Sequence, residues 1–205
     1  MTAEPSAETI DACRRGDREA LGAVLRAQAP SIERLLVRLL GPRPDVEDLL
    51  QTTLMEAVRA FPRFQGKASV RTWLGRIAVH VAHQHLRRPK QRRARVRLEL
   101  VRDEHAQIEP VEPVDTRPEP DRAVDARRQL ERVYAHLDAI GVRKRVAFVL
   151  FAFEGRPVDE VAALTGASRV ATKARIFWAR RELVARVATD PALRELIDVG
   201  RELEP

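Results

Sequence analysis

Three stretches of the chain hold side chains whose types and spacing could do chemistry. Residues 86–97, LRRPKQRRARVR, carry seven Lys or Arg and no acid. Basic groups at that density grip polyanions, nucleic-acid phosphates first, through contacts that carry no base information. A solvated flexible run is the bland alternative. Immediately before it, HVAHQH places His80 and His83 three apart on one helix face, the start of a metal site. With no Cys nearby and His85 directed elsewhere, the closed ligand set is missing, so no metal and no cofactor is expected. The third stretch, SRVATKARIFWARREL at 168–183, spreads Arg169, Lys173, Arg175, Arg180 and Arg181 along one helical pattern. No nucleophile with a base, phosphate-cradling glycine loop or carboxylate cluster accompanies them, so the chain does not read as an enzyme.

The composition agrees with a polyanionic partner. Among 205 residues, 37 Lys plus Arg outweigh 30 Asp plus Glu, for a net charge of +7. Nucleic acid is the first candidate and an anionic membrane surface the second. The membrane fails, because no amphipathic apolar face or lipidation signal accompanies the charges and the longest apolar run, VAFVLFAF at 146–153, is too short to span a bilayer. A single Cys13 excludes an internal disulfide framework and reads as a small buried thiol. With no N-terminal apolar signal region, a soluble cytoplasmic protein is expected.

The periodicity that must position these groups is helical nearly throughout, so the fold class is all-α. A first segment runs from Ala7 to Leu40, broken near Gly16 and Pro30 and ended by GPRP at 41–44. In DVEDLLQTTLMEAVRAF, Val46, Leu49, Leu50, Leu54, Ala57, Val58 and Phe61 form one stripe behind an N-cap at Asp45. A polar loop, RFQGKAS, leads to a helix with Leu74, Ile77, Ala78 and Val81 inward; Gly75 within it costs ~1 kcal/mol relative to Ala. Residues 99–121 then hold eight acids against two Arg, with prolines at 110, 113, 118 and 120, the composition of an extended linker.

Helical periodicity resumes near Val124. PVDEVAALTG turns Val158, Val161, Ala162 and Leu164 inward and stops at Gly166, and Ser168 caps the basic helix that follows. Helix, glycine turn and basic helix form the plan of a helix-turn-helix, whose second helix reaches base edges in the major groove. An αα-hairpin with a solvated basic face satisfies the same spacing. The division expected is 1–97 for a first helical unit, 98–122 for an acidic linker, 123–188 for a second helical unit and 189–205 for an acidic tail.

The stretch DVEDLLQTTLMEAVRAFPRFQGKASVRTWLGRIAVHVAHQHLRR resembles the core-binding and minus-ten-reading domain of extracytoplasmic-function sigma factors of the sigma-70 family. FEGRPVDEVAALTGASRVATKARIFWARREL is similar to the family's minus-thirty-five-reading domain. The resemblance implies a subunit that loads core RNA polymerase onto promoter DNA and helps melt it. It also implies that Asp45, Asp48 and Gln51 meet the polymerase. The loop Phe64, Gln65, Gly66, Lys67, Ala68 and Ser69 would capture a base turned out of the melting strand. Arg71, Trp73, Arg76, His80, Gln84, Arg87 and Arg88 would face promoter DNA, although a lone Trp73 also reads as core. Ser168, Arg169, Ala171, Thr172, Lys173, Arg175 and Arg180 would read the upstream element. An anti-sigma protein is a further partner the resemblance raises.

Departures touch the specificity positions. His80 stands where the family usually has Asn, Gln84 where it often has Asp, and Thr52 where Glu is common. A free-standing dimeric helix-turn-helix regulator is the second function class, with the first unit as sensor or dimerisation module. It leaves the loop and basic helix of that unit unexplained. A hydrolase using the histidines is a third and weaker reading.

Overall fold

The computed structural model describes residues 4–41, 45–100 and 121–193, with side chains left out for 88–100 and 121–125. Among the described residues every regular element is helical. Helices α1 (Ala7–Arg14), α2 (Arg18–Leu40), α3 (Val46–Ala60) and α4 (Val70–Leu100) build the first half. Helices α5 (Asp121–Ala139), α6 (Val142–Phe148), α7 (Val158–Thr165) and α8 (Arg169–Val187) build the second. Between the halves, residues 101–120 of the expected linker lie outside the described residues, as do 194–205 of the expected tail.

Local chemistry accounts for the helix starts. The Ser6 hydroxyl accepts from Thr9 N, and Asp17 Oδ1 accepts from Glu19 N and Ala20 N, so α1 and α2 are capped across the break at Gly16. The second expected break is absent, because α2 runs straight through Pro30. Val24, Leu25 and Gln28 before the proline, and Ile32, Leu35, Leu36 and Leu39 after it, are all buried. Their burial offsets the roughly 3 kcal/mol that an interior proline costs. In α3, Val58 is 48% exposed and Thr53 is fully buried, so the apolar stripe is narrower than its spacing suggests. Thr53 tolerates that position because its hydroxyl donates to Leu49 O at 2.7 Å.

One continuous cluster of apolar side chains runs from Cys13 through α2, α3 and α4 into Tyr134, Leu137, Val146, Leu150, Val161 and Ala179 of the second half. Its junction is the C-terminus of α2, where the last carbonyls of a helix have no partner of their own. Arg145, 1% exposed, supplies that partner from α6. Its Nη2 donates to Leu39 O at 2.9 Å and to Leu40 O at 3.0 Å, its Nε donates to Leu39 O at 3.1 Å, and its Nη1 pairs with Asp138. The Tyr134 hydroxyl donates to Arg38 O at 2.8 Å, and the Arg38 guanidinium reaches Glu154 at 2.6 Å.

Two glycines allow this contact. Gly41, at φ +87°, ends α2 so close to the Tyr134 ring that a Cβ there would lie 2.7 Å from it. Gly75 in α4 lies against Leu164 of α7, and a Cβ would sit 3.2 Å from the Leu164 Cδ2. The helix penalty of Gly75 therefore accompanies close packing of α7 on α4. Gly41→Ala combines left-handed strain with a ring clash, and should lower stability by about 2 kcal/mol. Thermal denaturation checks this; an unchanged midpoint would contradict the Tyr134 contact.

At the far end of α8, Asp190 accepts from Arg132 at 3.3 Å, from Ala192 N at 3.1 Å and from His136 at 3.0 Å. The His136 hydrogen bond is the main reason its carboxyl titrates below the ordinary aspartate range. Cys13 is buried, and that burial, with the nearby Asp17 charge, raises its thiol pKa.

Candidate nucleic-acid interface

The expected interface begins at the loop between α3 and α4. A 3-10 turn, Phe61–Arg63, follows α3 directly. Phe61, Phe64 and Trp73 form a cluster with ring centroids 5.1 to 5.5 Å apart. Phe64 is buried in it, and Arg14 holds the loop by donating from Nε to Phe64 O at 2.8 Å. Phe64 is therefore packed away as the anchor of the loop, whereas Trp73 joins the cluster while staying half-buried. Tertiary packing decided this, because an aromatic beside a glycine loop serves either purpose in sequence. Ser69 is likewise occupied: its hydroxyl accepts from Thr72 N at 3.1 Å and starts α4 as an N-cap. The tip that remains exposed is Gln65, Gly66 at φ +71° and Lys67, with Ala68 half-buried.

Along α4, Arg76, His80, Gln84 and Arg87 are all exposed and recur at helical spacing on one face. His80 Nε2 lies 2.6 Å from Gln84 Nε2, so these two departures from the family pattern form one hydrogen-bonded unit. Arg71 is half-buried, and its Nε is buried with no hydrogen-bond partner. The Arg88 side chain lies outside the described residues. His83 is half-buried, and its pKa falls below the ordinary histidine value through burial first and then the charges of Arg87, Arg143, His80 and Arg175. Among the described residues no three His, Cys, Asp or Glu side chains gather as a metal site would need.

The helix-turn-helix has the geometry its sequence suggests. Gly166 takes the left-handed conformation at φ 63°, ψ 31°, and the Ser168 hydroxyl accepts from Ala171 N at 3.2 Å. Thr172 is fully buried and donates to Ser168 O at 2.9 Å, so it positions the start of α8 and has no surface for DNA. Ala171 is half-buried, and Arg169 pairs with Asp159 at 3.3 Å on the rim. Lys173 and Arg180 are exposed, whereas Arg175 is half-buried. Lys173 and Arg175, two residues apart, point to different sides of α8. Lys173 and Arg180 border an apolar groove with Ile176 and Phe177, while Arg175 faces α4.

On α3, Asp48 and Gln51 are exposed as expected. Asp45 is not the side-chain cap its position suggests, because it makes no hydrogen bond to the helix start. Its Oδ2 instead pairs with His85 Nε2 at 2.8 Å, which ties α3 to α4. Two residues that periodicity missed complete this face: Met55 is 56% exposed and Val58 is 48% exposed. Asp48, Gln51, Met55 and Val58 follow one another at helical spacing, an acidic patch running into an apolar one. Val58 counted as core in sequence because its period fits the buried stripe.

A short glycine loop before a basic helix, with a helix-turn-helix packed beside it, is the arrangement that the chain presents for comparison with known proteins. Residues 24–93 match sigma-70 region 2. The chain is 28% identical to the RNA polymerase sigma-H factor of Pseudomonas aeruginosa over 201 residues, covering 95% of this chain and 99% of that protein. It is 29% identical to the ECF RNA polymerase sigma factor SigC of Mycobacterium tuberculosis over 176 residues, covering 86% and 88%. The solved sigma factor RpoE of Bartonella quintana, in complex with the anti-sigma factor NepR, superposes with a TM-score of 0.52 at 23% identity, covering 82% of this chain and 97% of that one. The chain thus carries a match to sigma-70 region 2 over residues 24–93 and is similar over most of its length to RNA polymerase sigma factors, among them one of the extracytoplasmic-function type.

Proposed function

We propose that the protein binds core RNA polymerase through α3, recognises the minus-ten element with the 65–67 loop tip and the α4 face, and recognises the minus-thirty-five element with α8. The observation that carries this reading is the exposed row Arg76, His80, Gln84 and Arg87, continuous with a glycine loop whose tip is free and whose base is anchored. Exposed guanidinium groups grip phosphates, while the His80 and Gln84 edges can hydrogen-bond bases of an opened strand. The role is one of binding and positioning, with no chemical step of its own. The units 1–97 and 123–188 carry the two recognition tasks, and the acidic segment 98–122 joins them.

The polymerase face is Asp48 and Gln51 with Met55 and Val58 beside them. An apolar patch rimmed by polar groups is what a protein partner buries. Cytoplasmic location fits this role, and no helix among the described residues is long and apolar enough to cross a membrane. An anti-sigma partner is consistent with the complex that the Bartonella relative forms.

Asp48→Arg tests the assignment. It should weaken capture by core polymerase by about tenfold or more, as loss of complementary charge at an interface does. Helicity by circular dichroism should be unchanged, since Asp48 is exposed. Normal capture, with normal promoter-dependent transcription in a purified system, would move the polymerase contact elsewhere.

A further inference from the structure

Between α4 and the second half lies an open cavity of about 800 Å3, within the range of small-molecule sites. Four guanidinium-bearing side chains line it from both halves: Arg76 and Arg87 from α4, Arg143 from α6 and Arg175 from α8. Among the described residues no Asp or Glu lines it. Val79, Val146 and Leu164 supply a buried apolar wall beside the charges. Like charges gathered from three helices repel one another, and the packing of α7 on α4 holds them together against that repulsion.

We propose that this cavity binds a small polyphosphorylated anion, of the size and charge of a nucleoside triphosphate, and that the ligand bridges the two halves of the chain. Guanidinium forks bind phosphate oxygens in pairs, and four of them match the charge of a triphosphate. Because two of the four come from each half, one ligand tightens the junction that Arg145 and Tyr134 already make. Promoter DNA is a poor occupant of the cavity while the two halves are together. Elements centred near minus ten and minus thirty-five are separated by roughly 85 Å of duplex at 3.4 Å per base step. The faces that read them cannot lie across one small cavity while both are engaged. Arg76, Arg87 and Arg175 are the side chains assigned to promoter contacts, so bound anion and promoter would compete. That consequence rests on the proposed function; the binding itself does not.

The test is calorimetric titration of the full chain with inorganic tripolyphosphate and, separately, with a nucleoside triphosphate, each followed by thermal denaturation. Both should bind saturably at one site and raise the unfolding midpoint. The tighter of the two identifies the source: a nucleoside gains the apolar wall, whereas equal affinity assigns the site to the phosphates alone. Arg143→Ala removes an exposed side chain that has no part in the promoter faces, and should weaken binding about tenfold. Arg59→Ala, the same charge lost from exposed α3, should leave it unchanged. The proposal is overturned by an absence of saturable binding, or by equal weakening in both variants, which would mean diffuse attraction to a basic protein. It is also overturned if binding appears only after Glu104, Glu109, Glu112 and Asp115 are changed to Ser. In that case the chain's own acidic segment occupies the cavity.

Discussion

Arg145→Ala should lower the stability of the chain by about 3 kcal/mol, because it removes the buried donor to the Leu39 and Leu40 carbonyls and one partner of Asp138. For a chain of this length that corresponds to a fall of roughly 6–12 °C in the unfolding midpoint. Arg145→Lys should recover only part of the loss, since one ammonium cannot reproduce the fork that spans two carbonyls. Arg143→Ala, two residues earlier and exposed, should leave the midpoint where it was. Equal midpoints for the wild type and Arg145→Ala would mean that α6 does not cap α2. The effect is large because Arg145 ends one helix of the first half from within the second. A conventional surface ion pair contributes far less.

The second large effect is on promoter use. Replacing Lys173 and Arg175 together by Ala should cost about tenfold to a hundredfold in transcription from a cognate promoter, because a base-reading contact contributes ~1–3 kcal/mol. Affinity for core polymerase should stay unchanged, as the α3 face is untouched. The single variants should not be equivalent. Lys173 is exposed beside the apolar groove, whereas Arg175 is half-buried and faces α4, so the halves must separate before Arg175 reaches DNA. Normal transcription by the double variant would remove α8 from the role of recognition helix. A cognate promoter would be selected from a randomised library with the wild-type chain.

Some of this was written in local sequence. The all-α class follows from apolar spacing. The turn at Gly166 and the cap at Ser168 follow from the backbone freedom of glycine and the reach of a short hydroxyl, both settled within four residues. The DNA-facing side of α4 came from the family resemblance and not from periodicity; of its seven residues, Arg76, His80, Gln84 and Arg87 share one exposed side of the helix. What sequence could not decide were the choices between two partners of similar worth. Pro30 breaks a helix unless the residues on both sides bury on one face, and α2 does bury them. Asp45 caps a helix unless a better partner approaches, and His85 does. Phe64 and Trp73 stack on a base or on each other, and in this fold they join Phe61. Each outcome depends on groups tens of residues away, whose approach no local pattern encodes. The junction of the halves is the extreme case. Arg145 reads as one more basic residue in RKRVAF, and only the arrival of two carbonyls from α2, 105 and 106 residues earlier, makes it the buried centre of the molecule.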